Sequence, residues 1–148
     1  MTHEVLVAIE SDGDLVEARA AARALATRLG FSRTDATLIA TAISEVARNI
    51  IVHVGTGRIM MSPLEEEMRC GLQVVAEDKG AGIRDVEAAL HDGYAGRGGL
   101  GLGLSGAKRL MDDFDIDTKM DRGTRVTMTK WRFRDELERM KEKRQRRP

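Results

Sequence analysis

Apolar positions along this chain change period several times, and each change marks an element. Val5, Val7 and Ile9, interleaved with Leu6 and Ala8, form a β-branched run that predicts an opening strand. Ser11 and Asp12 supply a helix start, and Gly30, directly after Leu29, supplies a stop, so a helix is expected through about residue 26. Ser32 with Asp35 three residues on is a second start signal. In the helix that follows, Ile39, Ile43, Val46 and Ile50 are spaced by four, three and four and share one face. Residues 58–62 and 68–78 read as a hairpin around a loop at 63–67, with Leu72, Val74 and Ala76 as the alternating set of the second strand. A short helix is predicted at 85–90, followed by a loop containing Tyr94, a glycine run, and a helix to about Met111. Residues 114–120 and 124–131 form a last hairpin around Asp121-Arg122-Gly123. The remainder, 134–148, mixes both charges and predicts a frayed, solvated helix.

Composition narrows the function classes. At 148 residues the chain holds one ordinary domain with a real core. Formal net charge is +0, from 24 basic and 24 acidic residues, which removes the global electrostatic case for nucleic acid. Aromatics at 3% cannot build a base-stacking platform, and the 8 methionines serve as core filler. Cys70, the one cysteine, predicts a buried free thiol in a reducing compartment. The N-terminal residues lack a signal-peptide pattern, and no apolar run reaches membrane-spanning length, so a cytoplasmic protein without membrane or nucleic-acid partners is expected.

Three stretches carry candidate chemistry. The first is the glycine run 98–106, which enters a helix whose N-terminus would present unpaired N–H groups to an anion, phosphate first of all. Gly101, Gly103 and Gly106 satisfy G-x-G-x-x-G, yet no strand precedes them, and Ala107 between Gly106 and Lys108 breaks the lysine-bearing phosphate-loop pattern. The second is Glu45 with Asn49, one turn apart on a flank about a quarter-turn from the apolar stripe. They are either a solvated pair or a base and a metal ligand directed into a cleft. The third is Asp78, at a strand end before Gly80 and Gly82: a solvated turn aspartate, or an acid placed where the backbone lets a flat ligand approach.

In their order along the chain these stretches, with Gly123-Thr124 opening a late strand, resemble the N box and the three glycine boxes of the GHKL ATPase and kinase superfamily, over about residues 10–131. The spelling of 42–50, 76–83 and 98–104 is most similar to the switch serine/threonine kinases of bacterial stressosomes, with the anti-sigma-factor kinases as relatives. The resemblance implies an α+β fold, a two-layer α/β sandwich of the Bergerat type whose mixed, mostly antiparallel sheet is covered on one face by helices. Residues 1–133 would be the ATP-binding kinase domain and 134–148 a charged tail. ATP and Mg2+ would be the cofactors. Glu45 would be catalytic, deprotonating or orienting the acceptor hydroxyl, and Asn49 would ligate magnesium. Asp78 would accept the adenine amino group, Gly80, Gly82 and Ile83 would make room for the base, and Thr124 would close its pocket. Gly99, Leu100, Gly101, Leu102, Gly103 and Leu104 would hold the triphosphate as part of a lid. The implied partners are a STAS-domain scaffold or antagonist protein as phospho-acceptor and a PP2C-type phosphatase, bound and activated after release. The alternative is an anti-sigma factor that sequesters a sigma subunit and phosphorylates its antagonist.

Overall fold

The computed structural model describes residues 4–90 and 103–145. Strand β1 (Val5–Ile9) leads into helix α1 (Asp12–Arg28), then α2 (Arg33–His53). Both helices start where the polar signals stand. The Asp14 carboxylate accepts the backbone N–H groups of Glu10 at 2.8 Å and Ser11 at 3.1 Å, and Ser32 Oγ accepts that of Asp35 at 3.0 Å. These bonds satisfy donors at the helix starts, and the acids sit at the positive end of each dipole. Ile39, Ile43, Val46 and Ile50 are all buried, which makes α2 the spine of the helical layer: α1 and a later helix, α4, flank it and the sheet lies beneath.

Strands β2 (Gly57–Glu65) and β3 (Arg69–Asp78) follow, then the one-turn α3 (Val86–Ala89). Helix α4 (Gly103–Leu110), the hairpin β4 (Asp113–Lys119) and β5 (Gly123–Phe133), and α5 (Glu136–Gln145) complete the described chain. The five strands run in the order β1-β2-β3-β5-β4, and each neighbouring pair is antiparallel. The sheet expected to be mixed is thus antiparallel throughout the described residues. Register puts Val7, Ile9, Ile59, Met61, Leu72, Val74, Ala76, Val126 and Met128 on the buried face with the α2 stripe. On the other face Glu77 pairs with Arg58 at 3.3 Å and Arg125 at 3.4 Å, and the Arg69 guanidinium stacks 3.7 Å over the Trp131 ring.

Two further expectations are corrected. The first hairpin is tighter than the 63–67 loop expected from its proline and acids: β2 continues through Pro63 to Glu65, which pairs with Cys70. Pairing with β1 stops at Met61, so the strand has an open edge beyond it, where a residue without an N–H is tolerated. Within the described residues the tail is also more ordered than a frayed helix. Arg132 forms a two-pronged ion pair with Glu138, Nη1 to Oε1 at 2.9 Å and Nη2 to Oε2 at 2.7 Å, while its Nε donates to the Leu29 carbonyl at 2.8 Å. Arg134 Nη1 donates to the Glu66 carbonyl at 3.1 Å, and Arg139 Nη1 lies 3.4 Å from Met68 Sδ. Charges that read as solvated therefore fasten α5 to the end of α1 and to the β2–β3 turn.

Candidate functional site

The register of the central strands brings polar residues together at one end of the buried face, beyond its apolar middle. Leu72, Val74 and Ala76 face the helices along β3, and the next residue on that face is Asp78. It pairs with Thr124, which is 7% exposed, and Thr124 in turn pairs with Thr118 of β4. Gly80 N–H donates to Asp78 Oδ1 at 2.9 Å, fixing the carboxylate rotamer and leaving the second oxygen as an acceptor. Two glycines keep this corner tight. Gly82, at φ +85°, lies where a Cβ would stand 2.6 Å from the Lys119 carbonyl oxygen, and Gly123, at φ +106°, where a Cβ would drive into that of Asp78. Ile83 packs against the core, and its N–H donates to Thr118 Oγ1 at 2.9 Å.

Helix α2 supplies the other wall. Glu45 and Asn49 are half-buried on its flank, at the margin of the apolar stripe. Gly103 N–H, at the first residue of α4, donates to Glu45 Oε2 at 3.0 Å. A carboxylate thus occupies the N-terminal end of α4, while Lys130 Nζ donates to the Leu110 carbonyl at 3.0 Å at its C-terminal end. Each charge matches the sign of the helix dipole it meets, and together they pin an eight-residue helix that local propensity alone could not hold. Leu104 beside Gly103 is buried in the core. Gly99, Leu100, Gly101 and Leu102 lie outside the described residues.

Asn49 has the properties of a weak hard-cation ligand. Its carboxamide makes no hydrogen bond to a described residue, and its oxygen suits Mg2+ completed by phosphate oxygens and water. Among the described residues no cluster of three acidic, histidine or cysteine side chains could cage an ion without such help. Thr118 is the polar residue the sequence reading missed. Counting back from the expected turn at 121–123 sets Met120 opposite Thr124; the strands instead close around 120–122, with Lys119 opposite Gly123 and Thr118 opposite Thr124, so only the realised register singles Thr118 out.

An acid behind a glycine turn, a carboxylate and a carboxamide on one helix flank, and a second helix opening onto that carboxylate, at one end of an α/β sandwich, match the arrangement expected of a nucleotide-binding ATPase. Comparison with known proteins agrees. The family model described as the histidine kinase-like ATPase domain matches residues 10–130, and the chain belongs to that family. It is 41% identical over 131 residues to the serine/threonine-protein kinase RsbT of Bacillus subtilis, spanning 88% of this chain and 98% of that one. It is 30% identical over 122 residues to an anti-sigma F factor of Clostridium novyi, spanning 76% and 82%, and 28% identical over 139 residues to one of Clostridium perfringens, spanning 88% and 94%. Within the family the chain stands with ATP-using serine/threonine kinases.

Proposed function

We propose that this protein is a Mg2+- and ATP-dependent serine/threonine kinase of a bacterial partner switch, transferring phosphate to a hydroxyl of a STAS-domain protein. The observation that carries this reading is the Glu45–Gly103 hydrogen bond, which sets a candidate base at a helix N-terminus suited to phosphate. Asp78 accepts the adenine amino group through the oxygen that Gly80 leaves open. Guanine carries a carbonyl there, and two acceptors would face each other. The Gly103 N–H and its neighbours in the glycine run hold phosphate, displacing the Glu45 carboxylate, which is then free to take the acceptor proton. Asn49 holds the metal through its amide oxygen. Magnesium, when bound, supplies positive charge against the phosphate oxygens. Glu45 is the catalytic residue, and its other oxygen, which has no partner among the described residues, faces the acceptor.

The ATP-binding unit in this reading is residues 1–133, with 134–148 as an appended segment, and its place of action is the cytoplasm. After transfer the kinase leaves its substrate and engages a PP2C-type phosphatase. Similarity to anti-sigma F factors supports a second reading, in which the main output is sequestration of a sigma subunit.

Incubation with γ-labelled ATP and STAS-domain proteins, alongside pull-down with and without ATP, tests the proposal. Label on a serine or threonine of a STAS protein, with phosphatase captured, is expected. Capture of a sigma subunit instead moves the assignment to the second reading, and tight ATP binding without any labelled protein removes the kinase. Asp78→Asn abolishes ATP binding in this account, because Gly80 claims the amide oxygen and turns an NH2 toward the adenine amino group. Parental affinity in that variant would mean the base binds elsewhere.

A further inference from the structure

A helix on a protein surface ordinarily buries its apolar stripe and leaves its charges in water. Helix α5 is docked the other way round. Of its described side chains the half-buried ones are Glu138, in the two-pronged pair with Arg132, and Arg139, whose Nη1 lies against Met68 Sδ. Asp135 fixes the start of the helix, its Oδ1 accepting the Glu138 N–H at 2.8 Å. Leu137 and Met140, by contrast, are 62% and 49% exposed, and Lys141 and Arg144 are exposed with them. At about 100° per residue these four share an arc of about 100° on one side of the helix, with Glu138 and Arg139 outside it. Within that arc Arg144 falls between Leu137 and Met140. Ion pairs thus turn outward a face whose two large apolar side chains would otherwise favour burial.

We propose that this face of α5, formed by Leu137, Met140, Lys141 and Arg144, docks an acidic amphipathic segment of a protein partner. The partner's apolar side chains cover Leu137 and Met140, and its carboxylates meet Lys141 and Arg144, the arginine with two parallel hydrogen bonds. The mixture of apolar and basic residues within one arc decides the class of partner. A helix that lies in a bilayer keeps its cations on the face opposite the apolar one, whereas sinking Leu137 and Met140 into lipid would carry Arg144 with them. A second copy of the same face would set cation against cation, because the arc contains no carboxylate: Glu138 is engaged by Arg132, and Glu136 lies outside it beside Lys143. The proposal is independent of where the nucleotide binds. Helix α5 lies beyond the residues that the ATPase family model matches and is fastened at the end of the strands away from Asp78, so a partner on it leaves the Asp78 end open.

The test uses the full chain with p-benzoylphenylalanine in place of Met140, photo-crosslinked in the cells that make the protein, and the same label in place of the exposed Ala24 of α1 as control. Mass spectrometry of the adduct identifies what lies on α5. The expected result is a peptide of one protein, rich in Asp or Glu and carrying apolar residues at helical spacing. An adduct with lipid, an adduct with a second copy of this chain, or none above the Ala24 control overturns the proposal. The captured segment is then synthesised and titrated against the full chain and against Lys141→Glu with Arg144→Glu. Reversing the two exposed charges lowers its affinity about tenfold or more, and Leu137→Ser lowers it independently of salt, while hydrogen-exchange protection of α5 shows that the helix stays docked. If protection is lost with the double Glu variant, Lys141→Gln with Arg144→Gln gives the same reading. Parental affinity in the variants that keep α5 docked overturns the proposal as well.

Discussion

Gly123 shows how single residues set this site. It has a backbone that L side chains rarely adopt, and a Cβ there would meet the carbonyl of Asp78. Gly123→Ala therefore forces β5 away from β3 at the point where Thr124 and Asp78 pair. Urea unfolding should show a loss of about 1–3 kcal/mol, and ATP affinity should fall more than a surface substitution of equal destabilisation would cause. The glycines and Asp78 were legible because each is a residue type whose presence at a strand end or turn needs a local reason. The pairing of Thr118 with Ile83 was not, because it spans 35 positions and a threonine in a strand is commonplace.

At the scale of elements, α2 was the most readable part of the chain and the one with the largest consequence. Its stripe and its Ser32 start are local patterns, and both are realised. Ile43 is 0% exposed, so Ile43→Ala should cost about 2–5 kcal/mol in urea unfolding, against about 1 kcal/mol for Ser32→Ala. Helix α5 lies at the other extreme. Its composition is mostly charged, with Leu137 and Met140 exposed, and the partner that fastens it, Arg132, belongs to a strand and contacts Leu29, 103 positions away. The Arg132 guanidinium, by hydrogen bonding, holds the Glu138 carboxyl below its ordinary range and is itself raised by that bond. Glu138 thus binds its proton less readily when α5 is docked than when it is free. The docking is complete above the ordinary carboxylate range and is lost as pH falls through the depressed value. Hydrogen-exchange protection of α5 should accordingly drop below about pH 4 while that of α2 persists, and Glu138→Gln should lower α5 protection already at neutral pH.

Across the whole molecule, the two polar clusters lie at opposite ends of the same strands. Cys70 and Arg132 pair at one end of β3 and β5, and Asp78 and Thr124 at the other, about 26 Å away along β3. Burial pushes the Cys70 thiol up, which leaves it a packing group beside the α5 clamp. Because α5 is fastened at the far end, truncation after Phe133 should lower the melting temperature yet leave the ATP dissociation constant within about twofold, since sites this far apart couple weakly. The sandwich was foreseeable from alternating strands and two well-started helices, whereas the helix fastened at its far end depends on contacts no local pattern encodes. The central claim concerns the other end, where Glu45 caps α4 in the free protein and, in the proposed function, becomes the base once phosphate takes its place. Glu45→Gln keeps an oxygen for the Gly103 N–H and removes the basicity, so the direct measurement is label transfer from γ-labelled ATP to the acceptor beside titration of ATP binding. We predict near-parental ATP affinity with transfer reduced about 10²–10⁴-fold; transfer at the parental rate would contradict the account.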